Sequence, residues 1–398
     1  MGCADPAATA IVNIGTIVTG RLEAPFADGD AVLMVDGTIA AIGRRADLDL
    51  ERAVLVIDAG GATLVPGLID SHCHVVIGDY TPRQKTVDFL ESYVHGGITR
   101  VISPSEVHAP GRPRDPAGVK ALALAAQRCF LHYRPGGMTV HGGSVILEPG
   151  LTEADFAELA AQGVWLAKAG FGNFTRPRDC APLVRWAQQH GFVVMCHTGG
   201  ASIPGSSPVT ADDLLEMLPD VSGHVNGGPT AMADGDVERV VTQTEIALQV
   251  VQAGNLRSAL HVARLAREAG QLARLLIASD TPTGTGTMPL AVLKSVVELS
   301  SLGPLPPEVA LAAATGNVGR VYRLEAGILA PGRPADLLLL DAPLGSHDRD
   351  ALHAIARGDI PAVAAVCTAG ELRVLGSRNT PPPTRPIRVI RDATRRWS

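Results

Sequence analysis

From Thr63 to Asp280 the chain repeats one pattern, a short apolar run of strand type followed by a helical segment. The runs end near His74, Pro104, His141, Lys168, His197, His224, Ala253 and Asp280. Between them lie helical stretches such as 115–133, 152–162, 178–190 and 256–270. Thr152-Glu153-Ala154-Asp155 and Thr210-Ala211-Asp212-Asp213 read as helix starts, a capping hydroxyl followed by acids that suit the positive end of the helix dipole. Strand–helix alternation at this length, roughly 260 residues, predicts an α/β fold of the TIM (β/α)8 barrel type. A doubly wound open sheet is the structural alternative. It would gather ligands at one switch point instead of around a ring.

What ends the runs matters more than the runs themselves. Val65-Pro66-Gly67-Leu68-Ile69-Asp70-Ser71-His72-Cys73-His74 closes on two histidines one residue apart. Strand side chains alternate faces, so His72 and His74 point together and Cys73 points away. Two imidazoles on one side of a strand end can grip one metal ion. Further polar residues close later runs: His141 after Gly137–Val140, Lys168 within Trp165-Leu166-Ala167-Lys168, His197 after Phe192–Cys196, His224 after Asp220–Gly223 and Asp280 after Leu275–Ser279. The carboxyl ends of barrel strands are where TIM-barrel enzymes place their chemistry. Any one of these residues alone would read as a core or rim residue; in this order they predict a metal centre. The remaining histidines, His95, His132, His190, His261, His347 and His353, fall in helices or near the chain ends and read as surface or packing residues. His108, in a loop after a strand, is a weaker pocket candidate.

Composition narrows the class. The 398 residues are 46% hydrophobic and 19% charged with a formal charge of -6, which gives no electrostatic footprint for nucleic acid. No apolar run reaches the roughly 18 residues of a membrane span. The start, Met1-Gly2-Cys3-Ala4-Asp5-Pro6, has neither the basic beginning nor the apolar core of a signal peptide. Cys3, Cys73, Cys129, Cys180, Cys196 and Cys367 are scattered without a framework spacing, which points to a reducing cytoplasm. Small-molecule chemistry is left.

The two ends of the chain have strand texture of another kind. Residues 9–14, 31–35, 38–42 and 54–58 read as short strands, with a hairpin turn at Asp36-Gly37. Residues 337–341 are wholly apolar, and 362–366 and 371–375 flank a second hairpin at Ala369-Gly370. Neither end could bury a core alone, so the two should complete one small β-sandwich. The expected divisions are 1–62 and 325–378 for the sandwich, 63–324 for the barrel, and a Pro- and Arg-rich tail over 379–398, solvated or packed on a neighbouring subunit.

His-x-His on strand one, lysine on four, histidines on five and six and aspartate on eight resemble the amidohydrolase superfamily. The composite β-domain, including Gly327-Ile328-Leu329-Ala330-Pro331-Gly332-Arg333-Pro334-Ala335-Asp336-Leu337, resembles it too. Within it, residues 141–148, 197–207, 224–230, 280–286 and 377–382 resemble the enamidases, which open a cyclic enamide, 6-oxo-1,4,5,6-tetrahydronicotinate, to 2-formylglutarate and ammonia. The resemblance implies two divalent metal ions, zinc or zinc with iron. His72, His74 and Asp280 would hold the more buried one and His197 and His224 the more exposed one. Lys168 would bridge them after carboxylation of its amine; the alternative for it is a rim lysine that pairs with a substrate carboxylate. Hydroxide formed on the metals would attack the ring carbonyl, Asp280 would carry the proton to the leaving nitrogen, and His141 or His224 would help to polarise the carbonyl. The Gly-Gly pairs after His141, His197 and His224 would let backbone amides approach the substrate. Thr198, Asn226 and Thr283 are either donors to a ring substituent or loop caps. The expected assembly is a homo-oligomer, dimer or tetramer. Rival readings are another cyclic amide or imide, an N-acyl amino acid or dipeptide, a mononuclear deaminase, or a non-catalytic scaffold.

Overall fold

The computed structural model describes residues 8–75, 83–104, 107, 111–201, 207–228, 230–283 and 286–393, with the backbone alone for 83–88. The architecture is α/β. Two all-parallel sheets carry the strand–helix repeat. One holds Leu68–Asp70, Ile98–Ile102 and Thr139–His141. The other runs through Val145–Ile146, Leu166–Ala169, Val193–His197, Val221–Gly223, Ala247–Val251 and Leu275–Ala278. The run expected to end on His141 does end there, and after Gly142-Gly143 a further short strand, Val145–Ile146, joins the other sheet. A Cβ on Gly142 would lie 2.5 Å from the Phe130 ring, and one on Gly143 (φ 90°) would lie 2.5 Å from the Ala123 carbonyl. The helix Pro116–His132 presses on the strand here, and only glycine lets the backbone jog beneath it.

At the other margin the two sheets meet again. Asp280 N donates to His72 O at 2.8 Å, His74 N donates to Thr281 O at 2.9 Å, and Cys73 faces Thr281 in a parallel bridge. Helix starts follow the expected chemistry. Asp155 accepts from the backbone and hydroxyl of Thr152, both at 2.8 Å, and Asp213 does the same for Thr210. Asp115 caps the helix that begins with Pro116.

Alternation along each parallel strand sorts the core into two layers. Val101, Val140, Ala167, Val194, Cys196, Val250 and Ile277 face the helices. Ile69, Ile102, Leu166, Val193, Met195, Val221 and Leu276 face inward around Tyr322. Two residues beyond the inward Leu166 and Met195 come Lys168 and His197, so the inner apolar layer is overlain by a polar one.

Both chain ends build the remaining two sheets. One contains Ala8–Val12, Ala31–Val35, Thr38–Gly43, Ala53–Asp58 and Arg388–Asp392; the other contains Thr16–Val18, Phe26–Ala27, Thr63–Pro66, Leu337–Asp341, Ala362–Thr368 and Glu371–Leu375. They enclose a shared apolar cluster that includes Ile11, Met34, Ile57, Leu64, Leu337, Leu339 and Cys367. Both hairpin turns form, with φ of 49° and 76° at Asp36-Gly37 and 47° and 75° at Ala369-Gly370.

Two expected divisions move. Thr63–Pro66 is not the start of the strand–helix repeat: it pairs antiparallel with Leu337–Asp341. The run that reads as continuous from Val65 to His74 is cut at Gly67, where a Cβ would lie 2.2 Å from Thr99 Oγ1. The tail is not simply solvated either. Arg388–Asp392 adds an antiparallel strand to Ala53–Asp58, with Ile387 and Val389 packed on the shared cluster. Among the described residues no helix is long and apolar enough to cross a membrane.

Candidate active site

Strand ends deliver four imidazoles and one carboxylate to the polar layer. His72 and His74 lie just past the strand Leu68–Asp70, and both turn Nε2 onto Asp280 Oδ1, at 3.2 and 2.9 Å. Cys73 between them packs in the helix-facing cluster, as alternation requires. On the opposite side His197 Nδ1 faces His224 Nε2 at 2.9 Å, with ring centroids 4.5 Å apart. The rings of His72 and His224, 5.4 Å apart, join the two sets. His72, His224 and Asp280 place one ligand atom each within 4.8 Å of one another.

All of this is buried. Exposure is 1% for His72, 2% for His197, 5% for His224 and 8% for Asp280. Burial pushes the imidazoles of His72 and His197 well below the usual histidine range and that of His224 down to about 4, so all three are neutral at pH 7. Burial opposes ionisation of Asp280, but His72, His74 and His224 outweigh it and hold the carboxyl well below its ordinary range. His224 (φ 44°) and Asp280 (φ 55°) both have left-handed backbones. That conformation costs of order 1 kcal/mol or more in a non-glycine residue, and it aims both side chains into the cluster.

Lys168 stands in the same layer, 1% exposed. Its Nζ meets Met195 Sδ at 3.3 Å and lies 5.8 Å from the Phe171 ring centroid. Burial lowers its pKa to about 8, partly offset by Asp280 and Cys196. Phe171 also packs on His197, with centroids 4.7 Å apart. This donor set fits divalent cations on its own chemistry. It comprises neutral imidazoles converging on an ionised carboxylate, a His224 Nδ1 without a hydrogen-bond partner, and a lysine whose hydrogen bond goes to a thioether.

The other expected site residues divide differently. His141 stands apart from the cluster. Its ring meets Trp165 edge-on at 5.6 Å, and after burial the charges acting on it are those of Arg100 and Arg134, which together lower its pKa to about 3. The break at Gly142-Gly143 explains this: the half-strand that reaches Lys168 in register is Val145–Ile146, not Thr139–His141. Thr198 Oγ1 donates to Gly223 O at 2.8 Å and braces the loop after His197. Asn226 is fully buried; its amide donates to Val251 O and Asn255 O and accepts from Val251 N. Both brace the loops that carry them. Thr283 is half-buried, and its carbonyl accepts from Gly286 N at 2.8 Å. Close packing accounts for most of the Gly-Gly pairs, though Gly228 has open space around it. Gly142 and Gly143 sit under a helix, while Gly200 and Gly227 abut Thr230. His108 lies outside the described residues. Sequence reading passed over Gln249, whose Oε1 sits 2.8 Å from His72 Nδ1. It lies inside an apolar strand, with no motif to mark it.

No protein-family model matches the chain. It is 49% identical over 383 residues, 96% of its length and 99% of the relative's, to the enamidase of Eubacterium barkeri. A crystal structure of enamidase, a member of the amidohydrolase superfamily, superposes with a TM-score of 0.92 over 96% of this chain and 100% of that one. The chain belongs to the enamidase family of the amidohydrolase superfamily. More distantly, it is 28% identical to the imidazolonepropionase of Salinispora arenicola over 90% of its length and 97% of the relative's. Superfamily membership makes the chain a hydrolase of carbon–nitrogen bonds, and the cluster of His72, His224 and Asp280 is its candidate metal site.

Proposed function

We propose that the chain opens the ring of a cyclic amide of the 6-oxo-1,4,5,6-tetrahydronicotinate type, giving 2-formylglutarate and ammonia, as a metal-dependent cytoplasmic enzyme. The observation that carries this is the convergence of His72, His224 and Asp280 in a chain 49% identical to an enamidase. His72, His74 and Asp280 would hold one divalent cation, zinc by preference, and His197 and His224 a second, zinc or iron. Lys168 would bridge them as a carbamate. Support for that is a dry amine with a pKa near 8 that is easily deprotonated for reaction with carbon dioxide. Bound there, the cations would acidify water and polarise the amide carbonyl.

The protein's own part is positional and acid–base. Asp280, ionised and aimed by its left-handed backbone, takes the proton from water and returns it to the ring nitrogen as the amide C–N bond breaks, and the enamine so released tautomerises to an imine that a second water hydrolyses to the aldehyde and ammonia. His224, neutral, sits across from it at the carbonyl side. His141, expected to share that task, has its ring against Trp165 and the charges of Arg100 and Arg134 acting on it, which supports leaving the task to His224. We read the two parallel sheets as one closed eight-stranded barrel whose third strand is Thr139–His141 and Val145–Ile146 together. The bonds from Asp280 to His72 and from His74 to Thr281 support closure. The remaining sheets form the composite β-sandwich, with its boundary after Pro66. A homo-oligomer, dimer or tetramer, is the expected assembly.

The test is turnover of purified protein against 6-oxo-1,4,5,6-tetrahydronicotinate, saturated ring lactams, cyclic imides and dipeptides. Ammonia release from the first, abolished by a chelator and restored by zinc, is expected. Turnover of dipeptides alone, or ring opening indifferent to chelation, overturns the reading.

A further inference from the structure

Gln249 has no part in the chemistry above, yet its fully buried amide touches three strands. Nε2 donates to Ser71 Oγ at 2.8 Å and to Ser71 O at 3.3 Å. Oε1 accepts from His224 N at 3.4 Å and lies 2.8 Å from His72 Nδ1. Two of these contacts fix which way the amide points. A backbone N–H can only donate and a backbone carbonyl can only accept, so Oε1 must face His224 N and Nε2 must face Ser71 O. With Oε1 held there as an acceptor, His72 Nδ1 must carry the hydrogen. The ring's Nε2 then presents a lone pair toward Asp280 Oδ1, 3.2 Å away. A lone pair facing a carboxylate at that distance is repulsive unless a cation stands between them.

We propose that Gln249 is the positioning residue that locks His72 in the Nδ1–H tautomer and holds the backbone of His224, so that both donor sets are built before a cation arrives. This rests on the metal-centre reading above. It adds that a neutral amide on the seventh strand, not an acid, makes the strand-one histidine a competent ligand and ties it to the strand-six histidine. Orienting partners of this kind are worth about 10- to 100-fold in metal affinity.

The experiment compares Gln249→Leu, Gln249→Glu and His72→Ala with the parent. Zinc content, the rate of zinc release to a chromogenic chelator and the histidine 15N spectrum of the metal-free proteins are measured. His72→Ala should lose zinc outright, which tests the metal-centre reading by itself. Gln249→Leu should release zinc about 10- to 100-fold faster and lose the Nδ1–H signature of one histidine. Gln249→Glu still offers an oxygen to Nδ1, and should restore the signature and slow release again. Leucine releasing zinc at the parental rate, or glutamate failing to rescue while the metal-free fold is intact, overturns the role of Gln249 alone. A parent that binds no zinc overturns both readings. Should the leucine variant not fold, Ser71→Ala, which removes the shorter of the amide's two Ser71 contacts and leaves only the backbone carbonyl at 3.3 Å, is predicted to speed release in the same direction, and an unchanged rate counts against the proposal.

Discussion

Two buried cations in this molecule are treated in opposite ways. Arg274, 7% exposed beneath the parallel strands, donates to Ile246 O and Val241 O at 2.9 Å, to Val240 O at 3.3 Å and to Thr244 Oγ1 at 3.2 Å, and also to Gln271. Lys168, 1% exposed at the carboxyl ends of the strands, has a thioether as its hydrogen-bond partner. Two buried acids repeat the contrast. Asp341 accepts from Arg385 Nε at 2.9 Å and from Arg385 N at 2.8 Å, whereas Asp280 faces imidazole nitrogens. Where a polar group serves the scaffold, the fold completes its hydrogen bonds. Where it serves chemistry, the fold leaves those bonds for something that is not protein.

That contrast breaks most clearly at the two acids. Asp280→Asn should lower kcat by about 10²- to 10⁴-fold, the usual cost of losing a positioned acid–base group, with the melting temperature of the metal-free protein unchanged or raised. Asp341→Asn should do the reverse, leaving kcat of the folded fraction unchanged while costing about 3 kcal/mol by denaturant titration, since it strands Arg385. Equal effects on both properties in both variants would dissolve the distinction.

Replacing each cation by methionine sharpens it. Arg274→Met should cost about 2–4 kcal/mol, because three carbonyls and a hydroxyl lose their buried donor. Lys168→Met should make the metal-free protein more stable while abolishing turnover. Paired chemical denaturation and activity measurements separate the two. A destabilised Lys168→Met with residual activity would place Lys168 among the scaffold cations.

Lys168 also sets a pH dependence whose sign can be worked out. Its pKa is lowered from 10.5 to about 8 by burial, so the unfolded chain holds the proton more tightly than the folded one. Below pH 8 both states are protonated and the folded state bears the full penalty. Between pH 8 and 10.5 only the unfolded state keeps its proton, so stability rises with pH, by about 3 kcal/mol across the window. Buried thiols such as Cys196 and Cys367, raised to about 12, lower stability in this window in both proteins, so the rise should appear as the difference between metal-free parent and Lys168→Met in carbon dioxide-free buffer.

The same contrast explains what could be read from the sequence. His72, His74, Lys168, His197, His224 and Asp280 stand out because each is a polar residue where an apolar strand should continue or stop. Helix caps and hairpin turns were legible because they depend on residues next to one another, as at Thr152 with Asp155 and at Asp36-Gly37. What escaped depends on long-range contact. Gln249 gains meaning only when Ser71, some 178 positions away, arrives beside it. The cut at Gly67 needs Thr99, and the strand Arg388–Asp392 needs Ala53–Asp58 as its partner. Thr198 and Asn226 read equally well as substrate donors or loop caps, because only contacts across the fold show that their hydrogen bonds go to the loops they hold.

His141 offers the finest test, because position in the sequence and position in the structure disagree there. It ends an apolar run and precedes Gly-Gly, as His197 and His224 end theirs, yet its ring lies against Trp165 among the fields of Arg100 and Arg134. If the jog at Gly142-Gly143 removes it from the reaction, His141→Gln should change kcat and KM by less than about threefold, under 1 kcal/mol of transition-state stabilisation. Its effect should fall on acid stability instead. A histidine whose pKa is lowered to about 3 stays neutral in the fold while the unfolded chain takes up a proton from pH 6.5 downward, so stability falls with pH over that window and the glutamine variant should resist acid better. A hundredfold loss of kcat with ordinary acid sensitivity would return His141 to the site and would mean that the strand break rearranges when substrate binds.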